Sequence, residues 1–307
     1  MAAHSTPGEA GTDAPQFPAY YEAVPVPAGA DGDYRYFQPT GATVSVWSPD
    51  IQHGGPPTGL LVQAMEEAVD PRPVDERHEN PDAPDSLAFT RVTMEILGAV
   101  GLGVNRVRTW VPRPGRQISQ VAAELDAQQP DGSFRTVGRA TAWRLRTGDT
   151  SAVAELPHPP LPTGPGEGPR TIGFAEVDGV SVPWGRVGFI GTVEVAFTQG
   201  RNGPASAVWL RPLLPLIAGS PTSELASAFT VIDVANGVGT RLDPAEWSWM
   251  NTDTTVHLTG RPRGEWIGLD AALAAGREGF GASFADLYDT GGFFGRSAQT
   301  VLLSKQP

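Results

Sequence analysis

Three polar residues stand where apolar ones belong. Asp233 follows Leu225 by eight positions and Phe229 by four, which puts it on the edge of the apolar stripe of the helical stretch Pro221–Asn236. It also lies one turn from the C-terminal end, where the helix dipole opposes a negative charge. Burial and dipole both favour its taking up a proton, as a general base must. The alternative is an Asp just outside the core, bonded to a nearby backbone group. Gln299 alternates with Val301 and Leu303 and so shares their face of a strand. A buried amide without partners costs about 1–3 kcal/mol, so Gln299 is either a structural hydrogen-bonding group or part of a site. At the matching place earlier in the chain the residue is Ala142. Regular alternation puts Thr252 on one face with Thr254, Val256 and Leu258, but threonine is common in strands and adds little alone.

Other chemistries lack residues. The chain has 307 residues and no cysteine, which removes disulfides, thiolate nucleophiles and cysteine metal sites. No G-x-S-x-G elbow, Walker loop or H-E-x-x-H occurs, and Gly98–Gly103 lacks the strand–turn–helix setting of a dinucleotide site. The five histidines are scattered, and His78 lies in an acidic loop that reads as a solvated charge cluster rather than a metal site. No metal and no cofactor are expected. With 34 acidic against 22 basic side chains the net charge is −12, and no Lys/Arg cluster offers the counterion release on which nucleic-acid binding rests. Met1–Gln16 lacks the basic start and apolar run of a signal peptide, and no stretch approaches the ~18 apolar residues of a membrane span. A cytoplasmic protein without membrane insertion is expected.

The elements that must position these residues come as two similar halves. Residues 1–30, rich in Ala, Pro and Gly, read as a flexible N-terminal tail. From Pro157 to Pro169 nine of thirteen positions are Pro or Gly, so 149–185 reads as a linker between domains at 31–148 and 186–307. In the first half Pro56–Ala68 is helical, with strand-like runs at Phe89–Leu97, Val104–Val111, Gln117–Leu125 and Thr136–Leu145. In the second, Ser220 is the expected N-cap of Pro221–Asn236, and strand-like runs follow at Thr252–Leu258, Trp266–Ala272, Gly281–Tyr288 and Arg296–Leu303. Ala123-Glu124-Leu125 before a turn and Gly138-Arg139-Ala140 are echoed by Ala285-Asp286-Leu287 and Gly295-Arg296-Ser297, as a duplication predicts. The fold class is α+β.

One helix followed by an antiparallel meander, twice over, resembles the double hotdog fold of the acyl-CoA thioesterases, particularly the type II group. His53-Gly54-Gly55 leading into Pro56–Ala68 is similar to that family's Gly-Gly approach to the hotdog helix. Ile232-Asp233 matches its catalytic aspartate position. Trp249-Met250-Asn251-Thr252, followed by His257, Arg261-Pro262 and Glu265-Trp266, looks like the strand of its catalytic threonine. Ser297-Ala298-Gln299 matches the strand of its glutamine. The family usually has an acidic residue two places after the threonine. Here Asp253 and Thr254 follow, so Thr254 or Thr255 can stand in for Thr252.

The resemblance implies two hotdog units fused as an internal pseudo-dimer, an acyl-CoA substrate, and hydrolysis to free acid and CoA. Asp233 would be the base toward a water fixed by Gln299 and Thr252, and Gly54 or Gly55 N–H would face the thioester oxygen, with His53 beside the substrate. Gly55→Val is then expected to lower turnover without unfolding the protein. A further homodimer is expected from hotdog sheet edges. Two other readings stand beside it: a non-catalytic acyl-CoA or acyl-carrier binding protein, and a hotdog hydratase or dehydratase built on His53, for which the sequence shows no acidic partner at the family spacing.

Overall fold

The computed structural model describes residues 17–29, 32–72, 86–174, 176–177, 180–181, 185–200 and 203–306. In the first half β1 (Tyr21–Val24) and β2 (Arg35–Pro39) precede α1 (Gly55–Val69). Then come β3 (Leu87–Ile96), β4 (Asn105–Arg113), β5 (Ile118–Gln128) and β6 (Phe134–Arg146). In the second half β7 (Arg170–Ile172), a small hairpin of β8 (Glu176–Val177) and β9 (Val180–Ser181), β10 (Val193–Gly200) and β11 (Gly203–Pro212) lead to α2 (Glu224–Ile232) and α3 (Ala235–Gly239). The chain ends in β12 (Trp247–Asn251), β13 (Asp253–Leu258), β14 (Ile267–Ala275), β15 (Phe280–Asp289) and β16 (Gly292–Lys305).

Apart from β8 and β9, the strands form one antiparallel sheet in the order β1-β2-β4-β5-β6-β3-β13-β16-β15-β14-β11-β10-β7, with β12 also on β16. Read from the middle outward, the order in each half mirrors the other. The mirror line is the β3–β13 seam, where Thr93 and Thr255 face each other and their hydroxyls bond at 3.1 Å. The sequence echo has a structural counterpart: Arg139 binds Glu124 at 2.8 Å, and Arg296 binds Asp286 at 2.5 Å.

Helix α1 packs on β4–β6, while α2 and α3 pack on β11 and β14. The two halves then meet helix against helix. A Cβ on Gly55 would stand 2.2 Å from the Thr230 carbonyl oxygen, and one on Gly59 2.2 Å from Thr230 Oγ1, so glycine is what lets α1 and α2 cross this closely. Leu60, Leu61, Met65, Phe229 and Ile232 are buried in the core between helices and sheet.

Several expectations shift. Residues 17–29 are no loose tail: Tyr20 and Tyr21 are fully buried, the Tyr21 hydroxyl donates to Gln52 Oε1 at 2.6 Å, and β1 pairs with β2. Described residues of the 149–185 linker are packed on the fold as well. Leu161 packs against the cluster of Ala196, Trp209, Tyr288 and Phe293, Trp209 Nε1 donates to Thr163 O at 2.7 Å, and β7 joins the sheet beside β10. Proline denies these residues ladder bonds without denying them apolar contacts. The second helix starts later than expected, capped by Ser223, whose Oγ accepts from Ala226 N at 3.0 Å, and it breaks after Ile232. Residues 1–16 of the expected tail and most of the acidic loop, His78 included, lie outside the described residues.

Candidate active site

The break after Ile232 makes Asp233 the C-cap of α2, with a side chain only 3 % exposed. Each carboxylate oxygen has a neighbour. Asn251 Nδ2 donates to Oδ1 at 2.8 Å, and His53 Nδ1 lies 3.2 Å from Oδ2. Asn251 is itself held, its Oδ1 accepting from Asn236 Nδ2 at 3.3 Å. Gln299 arrives from β16, 2 % exposed. Its Nε2 donates to the backbone oxygen of Asp233 at 2.9 Å, meeting a carbonyl that the helix end leaves unpaired, and to Thr254 Oγ1 at 3.0 Å. Its Oε1 is buried and finds no partner among the described residues, an acceptor left open at a polar site.

The structure does not bring Thr252 into this cluster. Asn251 opposes Val301 across the ladder while Thr255 opposes Ala298, so one extra residue is inserted at Thr252–Asp253. Asp253 Oδ1 accepts from Thr300 N at 2.9 Å, in place of a ladder bond. A bulge of this kind reverses the alternation. Thr252 therefore faces solvent, with its hydroxyl toward Asp253 at 3.4 Å. Trp249 and Asn251 before the bulge, and Thr254 and Val256 after it, face inward. Thr254, 1 % exposed, accepts from both Gln299 Nε2 and Asn251 Nδ2, the latter at 3.3 Å. Thr255 bonds Thr93 at the seam and is not part of the cluster.

His53, Gly54 and Gly55 come from the other half of the chain and complete the site. Gly54 is the N-cap of α1, and a Cβ there would stand 2.7 Å from Asp233 Oδ2. Pro56 and Pro57 have no N–H, so the first turn of α1 offers the donors of Gly54 and Gly55 beside the carboxylate. Gly55 N lies 3.2 Å from His53 Nδ1. The His53 ring lies against Phe189, tilted by 40°, with centroids 4.7 Å apart. The acidic partner that sequence spacing does not offer His53 is thus Asp233, from the opposite half. In sequence Asn251 stands out only as part of a strand and Asn236 only as the end of a helix, and neither is singled out as a site residue. The only sequence mark of Asn251 is its place in a Trp-rich strand.

Of these groups His53, Gly54, Asp233, Asn236 and Asn251 line a cavity of about 580 Å³, with Gly55, Thr254 and Gln299 set behind them. Its walls are largely apolar, with Val46, Trp47, Met94, Ile96, Phe197 and Trp249 among them, and Asp233, His53 and Asn251 are among its polar residues, which also include Gln52, Arg241 and Asp243. Trp47 and Trp249 meet edge to face at 5.5 Å. An apolar cavity with a few converging polar groups suits a ligand with an apolar body and one reacting end.

The local two-fold relation offers a second place for the same chemistry. Thr255 opposes Ala298, and Thr93 opposes Thr141, so the counterparts of Gln299 and Thr254 are Ala142 and Val92. Methyl groups replace the amide and the hydroxyl there, and among the described residues the polar cluster exists once.

The model of the acyl-CoA thioesterase N-terminal domain matches residues 43–145, and that of the C-terminal domain matches residues 159–303. No curated sequence matches the chain. Among solved structures, a conserved protein of unknown function with hot dog fold from Alicyclobacillus acidocaldarius aligns at a TM-score of 0.61 and 14% identity, covering 91% of this chain and 96% of that one. An acyl-CoA thioesterase II from Mycobacterium marinum aligns at 0.56 and 14%, covering 90% and 95%. A TesB protein from Mycobacterium avium subs paratuberculosis aligns at 0.53 and 12%, covering 89% and 93%. At such identities the likeness shows a shared fold, the double hotdog, and the two domain models together span most of the sequence. The chain belongs to the acyl-CoA thioesterase family and is a thioester hydrolase.

Proposed function

We propose that the protein hydrolyses fatty acyl-CoA to free acid and CoA by direct attack of water, with Asp233 as general base. The observation that carries this reading is a buried carboxylate, held at both oxygens, at the polar side of an apolar cavity. Water gives a proton to Asp233 while its oxygen bonds to the thioester carbon. The tetrahedral intermediate then collapses, the C–S bond breaks, and the thiolate leaves and takes up a proton. A thiol with an ordinary pKa of ~8.5 leaves without a strong acid at hand. Thr254 and the open Gln299 Oε1 orient the water, and Asn251 fixes the carboxylate. Gly54 or Gly55 N–H faces the oxygen that gains charge. Neither a nucleophilic cysteine nor a serine elbow competes for this role.

The test is thiol release from acyl-CoAs of short to long chain, by wild type and by Asp233→Asn. Release by wild type that falls by about 10²–10⁴-fold in a folded variant supports the base assignment. Equal release by both proteins removes it. The His53–Asp233 pair also suits a hydratase, so loss of enoyl-CoA absorbance is followed in the same preparation. Hydration without thiol release would replace the hydrolytic reading.

A further inference from the structure

His53 Nδ1 has two neighbours and can serve one of them. It lies 3.2 Å from Asp233 Oδ2 and 3.2 Å from Gly55 N. An ionised carboxylate only accepts, and a backbone N–H only donates. A bare Nδ1 would accept from Gly55 and turn its lone pair toward a carboxylate that is 3 % exposed, a repulsion that little solvent screens. A protonated Nδ1 donates to Asp233 and leaves the Gly55 N–H without its acceptor.

Resting on the hydrolytic reading above, the geometry points to His53 as the positioning residue that links the two poles of the reaction: its Nδ1–H holds Asp233 in place, and by the same proton frees the Gly55 N–H for the thioester oxygen. The base and the oxyanion donor belong to different halves of the chain, 178 residues apart in sequence (233 − 55). One imidazole touches both. Its ring lies against Phe189 at a 40° tilt, and its backbone N–H donates to Thr43 O at 2.8 Å. The ring therefore has little freedom to serve the two neighbours in turn. A free oxyanion donor matters because one such donor is worth about 10²–10³ in turnover, and a donor already bonded inside the protein contributes less.

The first arm of the test reads the proton directly. Long-range nitrogen–proton correlation on ¹⁵N-histidine-labelled protein reports which ring nitrogen is protonated, with the His53 signals assigned by their absence from His53→Asn. Nδ1 bearing a proton, in a neutral or a cationic ring, is the expected result. A neutral ring protonated on Nε2 alone overturns the proposal. The second arm is kinetic. Asparagine places an N–H donor where Nδ1 stands, and alanine places nothing. His53→Asn should keep kcat within about threefold of wild type, while His53→Ala loses about tenfold to a hundredfold in kcat with KM little changed. Equal loss in both variants, or loss in neither, overturns the role. If wild type releases no thiol from any acyl-CoA, the hydrolytic reading fails, and the nitrogen spectrum still decides where the proton sits.

Discussion

Replacing Thr254 by valine keeps the shape of the side chain and deletes one hydroxyl. That hydroxyl accepts from Gln299 Nε2 at 3.0 Å and from Asn251 Nδ2 at 3.3 Å, in a place where Thr254 is 1 % exposed. At about 0.5–1.5 kcal/mol per hydrogen bond the loss is about 1–3 kcal/mol of stability. The lower end is expected, because both donors keep another acceptor in the backbone oxygen and Oδ1 of Asp233. The cost in turnover has a different origin. Without the hydroxyl, the proposed nucleophilic water would lose one partner, and both amides lose a restraint. About 1–2 kcal/mol of lost positioning lowers kcat by about 5–30-fold. Thr252→Val is the control. Its hydroxyl is exposed and meets only Asp253, so stability should change by no more than about 0.5 kcal/mol, with turnover unaltered. The assay is favourable, because a chain without cysteine gives a thiol-reactive dye no background and the signal is released CoA alone. Thermal melts accompany the rates. A loss in Thr252→Val as large as that in Thr254→Val would refute the reversed alternation, and with it the placement of Thr254 beside the water.

Asn251→Ala removes the donor to Asp233 Oδ1 and should lower kcat about tenfold while leaving the melting temperature within a few degrees; unchanged kcat would take Asn251 out of the site. Gly55→Val should unfold or severely destabilise the protein, by more than about 3 kcal/mol, because its Cβ would stand 2.2 Å from a backbone oxygen. A stable variant in a thermal melt would contradict the close helix crossing. Burial pushes the Tyr21 hydroxyl well above its ordinary value, and burial pushes Tyr20 up too, against the lowering bond to Thr192. Raised in the folded state, both stabilise below the ordinary tyrosine value of ~10, and that stabilisation is lost as the pH climbs past it. Denaturant titrations at alkaline pH should show this decline, and Tyr20→Phe with Tyr21→Phe should flatten it. An equally steep decline in the double variant would assign it to other groups.

Periodicity made the strands after each helix legible. β3–β6 and β13–β16 lie within a few residues of their expected runs, because one face of each is apolar and turns bound them. The strands before each helix were not legible. β1 falls in a segment whose composition reads as loose, and β7 follows directly on the Pro/Gly run. Their place in the sheet comes from pairing with partners distant in sequence. Asp233 and Gln299 could be found as polar residues at apolar positions, and the structure brings them together through the Asp233 carbonyl. Thr254 could not be chosen over Thr252. The choice depends on an inserted residue that Asp253 stabilises by capturing Thr300 N, and a residue pattern carries no trace of that register. The Gly-Gly pair was read for its approach to a substrate. In the fold the missing Cβ of Gly55 also makes room for Thr230, a contact between halves that no local pattern encodes.

The mirror relation between the halves is kept in the backbone and broken in the chemistry. Ala142 and Val92 occupy the blank counterpart, while the polar cluster proposed as the active site draws His53, Gly54 and Gly55 from one half and Asp233, Asn251, Thr254 and Gln299 from the other. Stoichiometry follows: a tight acyl-CoA analogue that cannot be hydrolysed should titrate at one equivalent per polypeptide, however dimer-like the fold. Inheritance follows as well. A gene cut between the halves would encode two fragments, neither holding both the proposed base and the proposed oxyanion donor. They would regain them only by finding each other across the β3–β13 seam and the glycine-lined helix crossing. Separate fragments would do so in proportion to their concentration, whereas a single polypeptide carries its partner at a fixed effective concentration. Fusion thus released one half from keeping a site of its own and bound it to completing its neighbour's.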